Sequence, residues 1–152
     1  MKLPAANLIP AQPEHIEAVS RNARKKDVEE IYAAGGWTVK DCLEWGLKNS
    51  LFVSTILHNE TPVAILGVTP FGNAGVPWMV ATDGVSNMPL RFMKISKHYI
   101  HTVAEIFPAL FNYVDERHNE SIRYLKAVGF TVHEPEPYGF LGLPFRRFEL
   151  NV

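Results

Sequence analysis

Apolar residues alternate with a period of two in the middle of the chain and recur at three and four on either side of it. Leu51–Leu57 reads as a strand and His58-Asn59-Glu60-Thr61 as a hairpin turn. Pro62–Phe71 reads as a second strand, with Pro62 at its mouth, where a missing donor is tolerated. After the turn Gly72-Asn73-Ala74-Gly75 comes a third strand, Pro77–Asp83, with Trp78, Val80 and Thr82 on one face and Met79 and Ala81 on the other. Upstream, Leu8-Ile9 is a short strand, and Pro13 suits the first turn of a helix carrying Ile16, Val19 and Ala23. The run Arg24-Lys25-Lys26-Asp27 marks a break or an exposed face. Val28–Ala34 then continues as helix until Gly35-Gly36. Thr38 is an N-cap candidate for a helix with Val39, Cys42, Leu43, Gly46 and Leu47 on one side.

Downstream, Pro89–Phe107 predicts a long helix with a buried stripe of Phe92, Ile95, Tyr99, Val103 and Ile106. Leu110–Asp115 is a strand. Asn119 then caps a helix that leaves through Gly129, a residue able to take a left-handed conformation. Thr131–Glu134 and Phe145–Leu150 are the last strands, joined by a loop containing Pro135, Pro137, Tyr138, Gly139, Gly142 and Pro144. The order β-α-α-β-β-β-α-β-α-β-β predicts one α/β (α+β) domain. Its mixed, mostly antiparallel sheet has about six or seven strands, with about four helices.

Composition narrows the partners. A chain of 152 residues suffices for one domain with a full core. A net charge of -1 and a pI near 6.6 give no electrostatic case for nucleic acid or an anionic membrane. No apolar run reaches the roughly 20 residues that span a bilayer, and Met1-Lys2-Leu3-Pro4-Ala5-Ala6-Asn7 is no continuous apolar signal segment. Cys42 is the only cysteine, so no internal disulfide forms, and it reads as a small buried apolar residue. His98 and His101 lie three apart on one helix, but nothing completes a metal site around them.

The stretch from Val114 to Phe130, with Asn119 opening a helix and Gly129-Phe130 closing it, resembles a segment of the GCN5-related N-acetyltransferase (GNAT) superfamily. In that superfamily the Asn-initiated helix runs beside the pantetheine arm of acetyl-CoA. The element order also resembles the GNAT order over nearly the whole chain. Between about residues 77 and 130 the closer resemblance is to GNAT-like proteins of tailed phages, related to a small internal virion protein of podoviruses. The matching pieces are Trp78 to Asp83, Phe92 to Ile100, and Leu110 to Asp115 running into Asn119 to Lys126.

The resemblance implies acetyl-CoA as cofactor, held by Val80, Thr82, Val85, Ser86, Asn87, Arg91, Asn112 and Asn119. It also implies a site opened between the Val76–Asp83 and Leu110–Asp115 strands, which run parallel and splay apart. Two departures stand out. The family's glycine-rich pyrophosphate loop is replaced by Gly84-Val85-Ser86-Asn87-Met88-Pro89-Leu90-Arg91, which has one glycine, and Pro89 removes a donor. The family's acidic Tyr aligns with Leu125, while Tyr124 sits one position earlier, about 100° round the helix. Tyr124 is thus a candidate proton donor or a packing aromatic. Asp83 and His118 are candidate bases, with Asp115 beside the latter; each is equally an ordinary turn or surface residue.

Three readings follow. One is an acyl-CoA-dependent N-acyltransferase acting on a host protein or small amine in the host cytoplasm. Another is a non-catalytic protein of phage particles or their assembly. The third is a host-directed binding protein presenting the Pro135–Pro144 loop to a bacterial enzyme.

Overall fold

The computed structural model describes residues 7–151 of the chain. Strand β1 (Leu8–Pro10) leads to helices α1 (Pro13–Arg21), α2 (Lys25–Gly35) and α3 (Val39–Asn49). The meander β2 (Leu51–His58), β3 (Thr61–Phe71) and β4 (Ala74–Ala81) follows. Then come α4 (Pro89–Ala104), β5 (Ala109–Asp115), α5 (Asn119–Val128), β6 (Thr131–Tyr138) and β7 (Leu143–Asn151). All seven strands join one sheet in the order β1-β2-β3-β4-β5-β7-β6, antiparallel except where β4 meets β5. Period-two alternation separates the two faces. Ile65 and Val80 turn toward Ile16, Val19, Val39 and Leu43 of α1 and α3. Leu66, Val68 and Ala81 turn toward Phe92, Ile95, Tyr99 and Val103 of α4 and Ile122 of α5. No helix among the described residues is long and apolar enough to cross a membrane.

Several boundaries differ from the pattern-based expectation. The charged run is a true break: Ala23 forms a lone bridge to Thr82, and Arg24 N–H donates to Ala81 O at 2.9 Å. Among the described residues the helices therefore number five, not about four. Strand β4 ends at Ala81, two residues before Asp83, because Thr82 Oγ1 accepts Gly84 N–H at 3.1 Å and starts a 3₁₀ turn over Asp83–Asn87. Helix α4 stops at Ala104, so Ile106 is 52% exposed and Phe107 is the residue that buries. Strand β6 runs through Pro135 and Pro137 to Tyr138; it lies at the sheet edge, where a proline costs no ladder bond. Asn119 is not a cap: His118 holds that position without a side-chain bond, and Asn119 is the first helical residue, exposed. Thr38 does cap α3, accepting Asp41 N–H at 3.1 Å. Gly129 does end α5 at a φ of +126°, with its N–H and that of Phe130 both reaching Leu125 O.

The fold's main irregularity lies between β4 and β5. They pair in parallel at Gly75 and Leu110 and nowhere further along. Each N–H and C=O on the inner edges beyond that point needs another partner or a ligand. Near the junction, the Asn112 side chain spans the gap. Its Nδ2 donates to Pro77 O and its Oδ1 accepts Tyr113 N–H, both at 2.8 Å. At the far end, α2 takes over. Asp27 Oδ2 accepts Ala81 N–H and Glu30 Oε1 accepts Asp115 N–H, again both at 2.8 Å. Two carboxylates one helical turn apart thus terminate the two strands and hold them apart.

Candidate functional site

The gap opens into a cavity of about 910 Å³ that passes through the sheet. On the α4/α5 side it is lined by Phe92, Ser96, Tyr99, Tyr124 and Phe130. On the α2/α3 side the lining includes Glu30, Trp37, Trp45, Trp78, Tyr113 and Tyr138. Thr82 N–H bonds Val63 O, so the alternation along β4 turns the N–H and C=O of Met79, as of Ala81, away from β3. Met79 therefore presents an extended stretch of backbone to the middle of the gap, flanked by apolar walls.

Tyr124 faces this space from α5. Its ring stacks on Phe92 at 5.3 Å between centroids, and its hydroxyl donates to Ser96 Oγ at 2.6 Å. Ser96 in turn donates to Phe92 O at 2.8 Å. Burial is the main reason the Tyr124 hydroxyl is pushed up to about 12, so it carries its proton at neutral pH. Packing and hydrogen bonding are both realised in this one side chain, and Leu125 beside it likewise both lines the cavity and packs against the core.

A second polar group sits at the end of β5. Asp115 is fully buried. Burial raises its pKa, but bonds from the Arg117 side chain and backbone outweigh this and hold the carboxyl below the usual range. His118 Nδ1 lies 3.4 Å from Glu30 Oε1, and that contact raises the imidazole pKa against the opposing effect of burial. Next to it, Arg24 grips Asp27 with Nε and Nη2, each at 3.0 Å.

The expected site residues are only partly gathered here. Val80, Asn112 and Tyr124 line the cavity. His118 stands behind Glu30 and reaches the cavity only through it. Asp83 is exposed in the 3₁₀ turn, outside the lining, and Asn119 is outside it too. Thr82 is committed to its capping bond, and Val85 is buried in the core. Ser86, Asn87 and Arg91 are exposed around the start of α4, where Arg91 Nη1 donates to Asn7 Oδ1 at 3.1 Å. Gly84 answers a packing need: a Cβ there would lie 2.6 Å from Val63 Cγ1. Glu30, Asp27 and Arg24 were not foreseen. They fall in a charged stretch whose pattern suits a solvated helix face, and only the return of Ala81 and Asp115 to α2 gives them work.

A seven-stranded mixed sheet, opened between β4 and β5 and clasped by α4 and α5, is the fold of the GCN5-related N-acetyltransferases. Ard1 from Thermoplasma volcanium is similar to this chain at 14% identity with a TM-score of 0.73, the match covering 95% of this chain and 96% of that one. The ribosomal-protein-S18-alanine N-acetyltransferase from Escherichia coli is similar at 12% identity and a TM-score of 0.67, over 95% and 92%. RimL, a ribosomal alpha-N-protein acetyltransferase in complex with coenzyme A, is similar at 9% identity and a TM-score of 0.70, over 97% and 96%. No protein-family model and no curated protein sequence matches the chain. At such identities the likeness establishes the fold.

Proposed function

We propose that the chain is an acyl-CoA-dependent N-acyltransferase whose two substrates meet in the gap between β4 and β5. The observation that carries this is the gap itself, with the backbone of Met79 turned into it between apolar walls. A pantetheine arm has the matching character: mostly apolar, with amides able to pair with an exposed strand edge. Met79 would hold that arm, and Phe92, Tyr99 and Phe130 would exclude water from it. The Leu90 and Arg91 N–H groups at the start of α4, with the Arg91 guanidinium, would meet the pyrophosphate. Those donors are fewer than a glycine-rich loop offers, so affinity should be modest. The bound acyl-CoA supplies a thioester carbonyl.

The amine enters from the α2 side and must lose a proton before it is nucleophilic. Glu30 is the carboxylate on that wall, and His118 at its back stabilises it. Nitrogen attacks the carbonyl carbon, the C–S bond breaks and the sulfur leaves as thiolate. The thiolate takes one proton, and one proton is released overall for each ammonium acylated. The Tyr124 hydroxyl, protonated at neutral pH, is the donor facing the thiolate side.

Titration of acetyl-CoA into the pure protein tests the reading. The expected result is saturable heat below millimolar cofactor and a rise in melting temperature. No heat and no shift at millimolar cofactor would overturn it. The non-catalytic role in phage particles or against a host protein would then be the better account; it draws on the incomplete phosphate loop and the phage-like segment.

A further inference from the structure

All three tryptophans of the chain line this cavity, and all three lie on its α2/α3 side. Trp78 is laid flat by design of the backbone around it: a Cβ on Gly46 would lie 2.8 Å from its Cζ2, and a Cβ on Gly67 2.7 Å. Its Nε1–H donates to Ser50 Oγ at 3.0 Å, which fixes the ring in its plane. Trp37 and Trp45 meet edge to face, 6.4 Å between centroids, yet remain 43% and 48% exposed. Opposite them, Tyr113 and Tyr138 stack at 4.0 Å. The hairpin tip beyond Tyr138 is tied to α2: Phe140 N–H donates to Ala34 O and Leu141 N–H to Ala33 O. The wall is therefore fixed in place, not a pair of loose loops.

Apart from Arg123 of α5, the charged side chains that line the cavity are paired, Glu30 through only one of its two oxygens. Arg24 is locked on Asp27, and Lys26 lies 3.4 Å from Glu120. Glu30 keeps its Oε1 on Asp115 N–H and near His118, while its Oε2 has no partner among the described residues. An aromatic-walled space with one available carboxylate is the chemistry that recognises a cation carried on a flat apolar group.

Resting on the transferase reading above, we infer that the acceptor is a primary amine borne on an aromatic ring system, with its ring between the tryptophan and tyrosine walls and its ammonium at Glu30.

The position of the tryptophans makes their own fluorescence the readout, with no cofactor needed. Phenethylamine is titrated into the full chain with excitation of indole, alongside butylamine, phenethyl alcohol and the dipeptide amide Phe-Ala-NH₂. Phenethylamine should change the emission saturably, with a Kd at least about tenfold below those of butylamine and phenethyl alcohol. The dipeptide distinguishes the source of the ring and amine: binding as tight as phenethylamine identifies an aromatic N-terminal residue, and weaker binding a free amine. Glu30→Gln keeps an acceptor for Asp115 N–H and should erase the preference for amine over alcohol. Trp45→Ala, at a half-exposed position, should erase the preference for aromatic over butyl. Melting curves confirm that both variants fold. Equal responses to phenethylamine, butylamine and the alcohol, or none at all, would overturn the inference. Selective phenethylamine binding by a protein that ignores acetyl-CoA would keep the amine site and remove the transferase reading. Cofactor binding without amine selectivity would do the reverse.

Discussion

Asp115 and Asn119 show how differently two turn-forming residues four apart can weigh. Asp115 is buried and receives the Arg117 guanidinium and backbone N–H, whereas Asn119 is exposed and caps nothing. Asp115→Asn should cost about 1.5–3 kcal/mol, the scale of a lost charge-assisted bond at a buried site. Asn119→Ala should stay within about 0.5 kcal/mol. Urea unfolding of both variants checks the contrast; equal midpoint shifts would mean that Asn119 does cap the helix. The sequence pattern favoured Asn119 because Asn is a good N-cap by itself. What displaced it was Glu30, brought in from α2 to hold His118 and the end of β5. Gly129, in contrast, was readable, since its positive φ serves a local need of the helix end.

Among the elements, α2 does most to shape the gap, and it is the one whose importance was least visible. Strands and amphipathic helices announce themselves through apolar period, so the meander, α3 and α4 are close to where the pattern puts them. The polar side of a helix carries no such signal. Asp27 and Glu30 look like solvated charges until Ala81 and Asp115 are seen to end on them. The extension of β6 through two prolines was likewise hidden, because only its place at the sheet edge makes them harmless. The α2–β5 contact has a pH signature. Because the His118 pKa is raised above its usual 6.5 in the fold, the pair contributes fully below that value. The contribution is lost as pH rises through the raised value. Melting temperature should therefore fall as pH rises above about 6.5 in the native protein, and this component should vanish in His118→Asn. An identical slope in the variant would show that Glu30 and His118 do not interact in solution.

For the whole molecule, the sheet is a frame and the gap is its aperture. The frame was legible from element order; the aperture was legible as a splay between two strands, but its walls were not. Trp37, Trp45 and Trp78 come from different elements and meet only after α3 packs on β3. Tyr124 was ambiguous because it stands one residue of helix register before Leu125, the position that the family resemblance gives to the acid. The structure puts its ring on Phe92 and its hydroxyl on Ser96 at the wall. If that hydroxyl protonates the leaving sulfur, Tyr124→Phe should lower kcat by roughly 10²–10⁴-fold and leave acetyl-CoA affinity nearly unchanged. A loss of about 1 kcal/mol of stability from the broken hydroxyl bond should accompany it. Unaltered turnover would assign Tyr124 to packing alone.

A channel open on both faces of a sheet sets the order of events in a reaction. If the gap is a transferase site, each reactant would have its own doorway, so neither would block the other, and neither would have to leave before the other arrives. Acyl donor and amine would load in either order and react only when both are present. Initial rates measured against one reactant at several fixed levels of the other should give intersecting lines, not the parallel ones of an acylated-enzyme route. Each product should compete with the reactant that uses its own doorway.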